Sequence, residues 1–128
     1  MPALKELLGV FVAGGAGATV RVWLSSVLDE RSFRGPHIGT LLVNLIGCLA
    51  IGLVAATVPR GPWRVVVGGG LLGGFTTYSA FALLSFEAVS EGRWTALALQ
   101  WSGHLVGGVL CVASGFWLGG WLVQSLGR

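Results

Sequence analysis

Charge is scarce in this chain. Asp, Glu, Lys and Arg make up 10% of its 128 residues, against about 25% in an ordinary soluble domain. A water-exposed globular surface cannot be built from so few charges, and a soluble domain is excluded. Cysteine is scarce too: Cys48 and Cys111 lie far apart with no CxxC spacing and read as small packing residues, not as a redox or metal centre. No HExxH, no Ser/His/Asp set and no nucleotide-binding loop occurs, which argues against an enzyme. The net charge of +3 is what flanking basic residues leave on membrane helices, and nothing in it supports binding to nucleic acid.

What the chain has instead is apolar length. It is 54% hydrophobic, with a mean hydropathy of +0.82. The charges cluster at Lys5/Glu6, Asp29 to Arg34, Arg60 to Arg64 and Glu87 to Arg93, leaving four long intervals almost free of them. A membrane helix needs roughly 20 apolar residues, so spans are expected at about 4–28, 38–58, 64–90 and 95–124. Residues 1–128 then form one four-helix integral membrane domain, an all-α membrane protein, in contact with lipid throughout. The first span is too long for a signal-peptide core and runs into Arg21 instead of a cleavage site, so it is expected to be kept.

With four spans, Lys5, Arg60, Arg64 and Arg128 fall on one side, and Arg31, Arg34, Arg93 and Arg21 on the other. This balance leaves the positive-inside rule without a preference. Insertion in both orientations, with pairing to an inverted copy, is one reading. Orientation by the acidic residues or by a partner is the other.

Glycine is abundant, at 22 residues, and falls mainly inside the spans. Small residues let helix backbones approach closely where lipid supplies no hydrophobic drive. Gly14, Gly17, Ala18 and Arg21 share a face of the first span; Thr40, Asn44 and Gly47 share one of the second; His104, Gly108, Cys111 and Gly115 share one of the fourth. Tight packing accounts for most of these glycines taken singly, yet polar residues ride on the same stripes. Four helices cannot easily enclose a path and also pack together, so an oligomer is expected, a closed symmetric dimer being the commonest kind.

Asn44 sits near the middle of the second span and needs a partner, either an interhelical bond or a polar pathway. Arg21 either snorkels to the interface or faces an aqueous vestibule. No Asp or Glu lies at mid-span, as proton-driven or cation transporters usually require; Glu6 and Glu87 are too near their span ends. In the third span, GGFTTYSAF joins two poor helix formers, Gly73 and Gly74, to Thr76 and Thr77, whose hydroxyls can bond back to the backbone. A helix break is expected there. Freed carbonyls suit a small hard cation such as sodium, and the amide end of the resumed helix favours an anion. Tyr78 and Phe81 follow at helical spacing; their ring edges are electropositive, and Thr77 and Ser79 offer hydroxyl donors beside them.

GGAGATVR (Gly14 to Arg21), GTLLVNLIG (Gly39 to Gly47) and GLLGGFTTYSAF (Gly70 to Phe81), in this order and spacing, resemble the Fluc family of fluoride channels, also called CrcB proteins. The resemblance covers essentially the whole chain, the fourth span in character only. It implies a dual-topology, antiparallel homodimer in the cell inner (plasma) membrane, with two narrow fluoride pathways and passive export that lowers fluoride toxicity. It implies a third helix broken at the GG-TT segment, with backbone carbonyls of Gly73 and Thr76 from both subunits holding a central structural sodium ion. Asn44 would donate to the pathway, Tyr78 and Phe81 would face fluoride with Ser79 between them, and Arg21 would lie at the vestibule mouth. Two positions depart from the family: Tyr78 stands where phenylalanine is usual, and His104 and Ser102, with Gly108, are the nearest candidates for the fourth-span polar track, His104 also reading as a packing residue. Two other classes remain. A small multidrug exporter needs a first-span carboxylate, for which only Glu6 is available, and a non-conducting assembly subunit leaves Asn44 and the break unexplained.

Overall fold

A segment in hydrocarbon must satisfy its own amides and carbonyls, which an isolated span does only as a helix. The computed structural model describes residues 3–31 and 38–127; Arg34 and Arg128, two members of the charge balance, lie outside the described residues. Four helices among those described are long and apolar enough to cross a membrane. The first is α1 (Leu4–Arg31) and the second α2 (Ile38–Thr57). The third span, Pro62–Ser90, is in two pieces: α3 (residues 62–75) and α4 (Tyr78–Ser90). The fourth is α5 (Trp94–Leu126).

The boundaries have local causes. Pro62 opens α3, where its missing N–H would have no helical acceptor anyway. Gly92, at φ 68°, ends α4, with Arg93 N–H donating to the Ala88 carbonyl at 2.8 Å and Gly92 N–H to Val89 at 3.1 Å. These are the two bonds of a glycine-terminated helix end. Asp29 Oδ1 accepts from Gly39 N–H at 2.9 Å, tying the end of α1 to the first turn of α2 and satisfying one of its free amides.

The small-residue stripes become the contact surfaces. α1 packs along α3, and α2 along α5. A methyl on Gly17 would run into the Leu71 carbonyl, one on Gly74 into the Gly14 backbone, and one on Gly115 into the Leu49 carbonyl. These helices touch backbone to backbone, as association without a hydrophobic drive requires. Trp63, Trp117 and Trp121 are exposed toward one membrane face, and Trp23 and Trp94 toward the other, as interfacial belts.

Two stretches depart from regular helix. Val65–Leu72 and Gly103–Gly107 wind as wide turns, and Gly73 N–H reaches back five residues to the Gly68 carbonyl. Such turns carry one extra residue and gather at functional segments of helices. Replacing Gly115 by leucine is expected to destabilise the folded chain by about 1–3 kcal/mol through overpacking against Leu49. Gly120→Ala, which meets nothing within 4 Å, should change it little; thermal unfolding in detergent compares the two.

Candidate functional site

The third span is interrupted at Thr76 and Thr77, both extended, at φ −88°, ψ 159° and φ −146°, ψ 110°. Of the residues expected to break the helix together, the glycines do not unwind: Gly73 keeps helical angles, φ −64° and ψ −37°. What Gly74 supplies is room for α1. The interruption itself belongs to the threonines. Thr76 Oγ1 donates to the Leu72 carbonyl at 3.0 Å, closing α3. Thr77 Oγ1 accepts from Ala80 N–H at 3.2 Å and so caps α4.

An interruption strands polar backbone. Among the described residues, no backbone amide bonds the carbonyls of Gly73, Gly74, Phe75 or Thr76 across the gap. Two side chains from other spans reach it. Asn44 Nδ2 donates to the Thr77 carbonyl at 3.0 Å, while its Oδ1 accepts from Thr77 N–H at 2.8 Å. One primary amide thus satisfies both polar groups of a single residue. Arg21 Nε donates to the Gly74 carbonyl at 3.2 Å from the α1 side. Its charge lies at the negative end of the α3 dipole, where a cation is favoured.

A cavity of about 360 Å³ opens beside the interruption, lined among others by Asn44, Thr76, Thr77, Tyr78, Phe81 and His104. Gly73 also lines it. Phe81 is buried, with Tyr78 tilted at 58° and 5.7 Å between ring centroids, Trp101 at 6.3 Å and His104 at 4.4 Å. Its carbonyl accepts from Ser85 Oγ at 2.7 Å and from Gln100 Nε2 at 3.4 Å, and Trp101 Nε1 donates to Ser85 Oγ at 3.1 Å. Ser85, Gln100 and Trp101 were not singled out from sequence, although Ser85 lies one turn beyond Phe81 and Gln100 one turn before His104.

Ser79 stands outside the cavity lining but lies 3.2 Å from Thr77 through their hydroxyls. Arg21 is also outside it, on the Gly74 carbonyl. Ser102 is exposed on α5 and does not join the group. Tyr78 remains 79% exposed on the single chain. A polar, non-helical segment at this depth is stable only against protein or water, and Gly73 and Ser79, like Tyr78, are exposed beside it.

The family profile described as "CrcB-like protein, Camphor Resistance (CrcB)" matches residues 8–116. The chain belongs to the CrcB family. It is similar to the "Fluoride-specific ion channel FluC" of Erwinia tasmaniensis, at 37% identity over 90% of this chain and 95% of that one. The protein of the same description from Chloroflexus aurantiacus is 33% identical over 92% and 98%, and that from Dichelobacter nodosus 39% over 85% and 92%. CrcB-family proteins are ion channels and not enzymes, and the four spans agree with a place in the cell membrane. In this CrcB chain, Asn44→Leu leaves the amide and carbonyl of Thr77 unpaired, which is expected to cost about 1–3 kcal/mol for a buried group. A lowered melting temperature in detergent checks this, and an unchanged one would mean that solvent replaces the amide.

Proposed function

We propose that the protein is a fluoride-selective channel that exports the ion from the cytoplasm by passive electrodiffusion, through two pathways in an inverted homodimer. Residues 1–128 act as one four-helix unit of that dimer. The observation that carries the reading is the interrupted third span, anchored by Asn44 and open to the Tyr78 and Phe81 rings. Family membership supplies the ion, since the similar proteins are described as fluoride-specific.

Fluoride is small and strongly hydrated, and a path for it has to replace its water with several donors. Asn44 binds Thr77 with one amide hydrogen and keeps a second for the cavity. The Thr77 and Ser79 hydroxyls, bonded to each other, leave one hydrogen free to donate, and the Tyr78 and Phe81 ring edges add positive electrostatic potential without any polar hydrogen. Arg21 places a fixed positive charge at the α1 side of the interruption, which raises the local anion concentration. No coupling energy is needed, because an inside-negative potential drives an anion outward by about 2.3 kcal/mol per charge per 100 mV.

The inverted copy covers the exposed face of Gly73, Tyr78 and Ser79, and the balanced arginines let both orientations insert. The carbonyls of Gly73 and Thr76, free of helical partners, fit a sodium ion, which favours oxygen donors. Two copies double that set at the dimer centre. Bound there, the ion supplies positive charge that holds the opposed carbonyl groups together.

Liposomes carrying the purified protein are expected to release fluoride, read by electrode after a potassium ionophore is added, without releasing chloride. Asn44→Asp and Phe81→Ile should each slow that release at least about tenfold, a loss of about 1.4 kcal/mol, with the dimer intact on gel filtration. Equal chloride release, or no fluoride release from a folded dimer, would rule the reading out. The melting temperature should also rise with sodium and not with choline, by the mass action of a ligand bound only to the folded state. An identical response to both would remove the ion from the dimer.

A further inference from the structure

His104, which lines the cavity, carries a ring nitrogen that the channel reading leaves unused. His104 Nδ1 lies 2.9 Å from the Gln100 carbonyl, and since a carbonyl only accepts, Nδ1 carries the hydrogen. The opposite nitrogen, Nε2, is buried and has no hydrogen-bond partner among the described residues. The ring lies over Phe81, centroids 4.4 Å apart and planes at 34°, so its direction is held at both ends. With Nδ1 committed as donor, neutral His104 presents a lone pair at Nε2, which repels an anion. The imidazolium presents an N–H and a positive charge at the same point.

We infer that His104 is a proton-dependent fluoride ligand: as the imidazolium, Nε2–H donates a charge-assisted hydrogen bond to the ion beside the Phe81 ring, and the neutral ring makes no such bond. The proton comes from water and returns to it, and no covalent bond changes. The inference rests on the fluoride-channel reading. Its chemistry is specific to histidine, the side chain that ordinarily changes charge between about pH 5 and 8. The neighbouring titratable groups do not imitate it. From α2 the cavity receives Cys48, from α4 Tyr78, and from α3 no titratable side chain. On α5 itself Cys111 stands two turns further along the same face. Arg21 of α1 is bonded to the Gly74 carbonyl and lies outside the lining, and Arg93 is paired with Glu91 in the turn between α4 and α5. Among the described residues, no carboxylate lines the cavity to neutralise the imidazolium.

The test is the fluoride dependence of release from proteoliposomes with equal pH on both sides, at about pH 5.5 and about pH 8, protein-free vesicles being subtracted. The half-saturating fluoride concentration should fall in acid by up to about tenfold, the scale of one charge-assisted hydrogen bond. His104→Gln, which keeps an amide donor at every pH, should give the same value at both. In a His37→Gln background His104 is the remaining histidine, and its Nε2 nitrogen resonance should move with fluoride at about pH 5.5 and not with chloride. A pH-independent wild type, a dependence that survives in His104→Gln, or an Nε2 resonance indifferent to fluoride would each overturn the inference while leaving the channel standing. A wild type that passes no fluoride at either pH would overturn the channel reading, and this inference with it.

Discussion

One primary amide spanning both polar groups of one residue holds this structure's centre. Asn44 gives Thr77 the acceptor and the donor that a continuous helix would have supplied, at 2.8 and 3.0 Å. Unpaired in hydrocarbon, those two groups would cost several kcal/mol, on the order of the transfer penalty for polar groups. The interruption is therefore affordable only with α2 in its present register. The α4 axis, the placement of Phe81 and the cavity beside it all follow from that one contact.

The glycines make the contact geometrically available. Gly47 lies one turn beyond Asn44 on α2, and a methyl there would strike the Thr76 side chain. One residue of the face binds the interruption and the next makes room for it. The same division recurs on α1, where Gly14 and Gly17 seat α3 and Arg21, on the same stripe, reaches the Gly74 carbonyl. Small residues set the distance between spans, and polar residues then use that distance.

Composition and charge spacing were enough to place the four helices, because a bilayer leaves few alternatives for long apolar runs. The interruption was also legible, but its mechanism was not. Gly73, Gly74, Thr76 and Thr77 together looked like the breaker, but the glycines are helical; the threonines alone unwind, since their hydroxyls close one helix and cap the next. Arg21 was read as snorkelling or facing a vestibule, and the bond of its guanidinium to a carbonyl 53 residues away was not foreseen. No local pattern encodes a partner that distant. The stacking of His104 on Phe81 escaped for a similar reason, because it depends on the register between α4 and α5.

That register is set in part by the wide turn at Gly103–Gly107. A residue absorbed in such a turn is, in effect, an insertion that the helix has accommodated without lengthening its regular part. Deleting one residue there would restore ordinary winding and leave the Gly108 and Gly115 seats on α2 in phase. A second deletion, with no wide turn left to absorb it, would rotate everything beyond it by about 100° and carry those glycines away from their partner. The segment therefore holds in reserve the loss of one residue, and of one only.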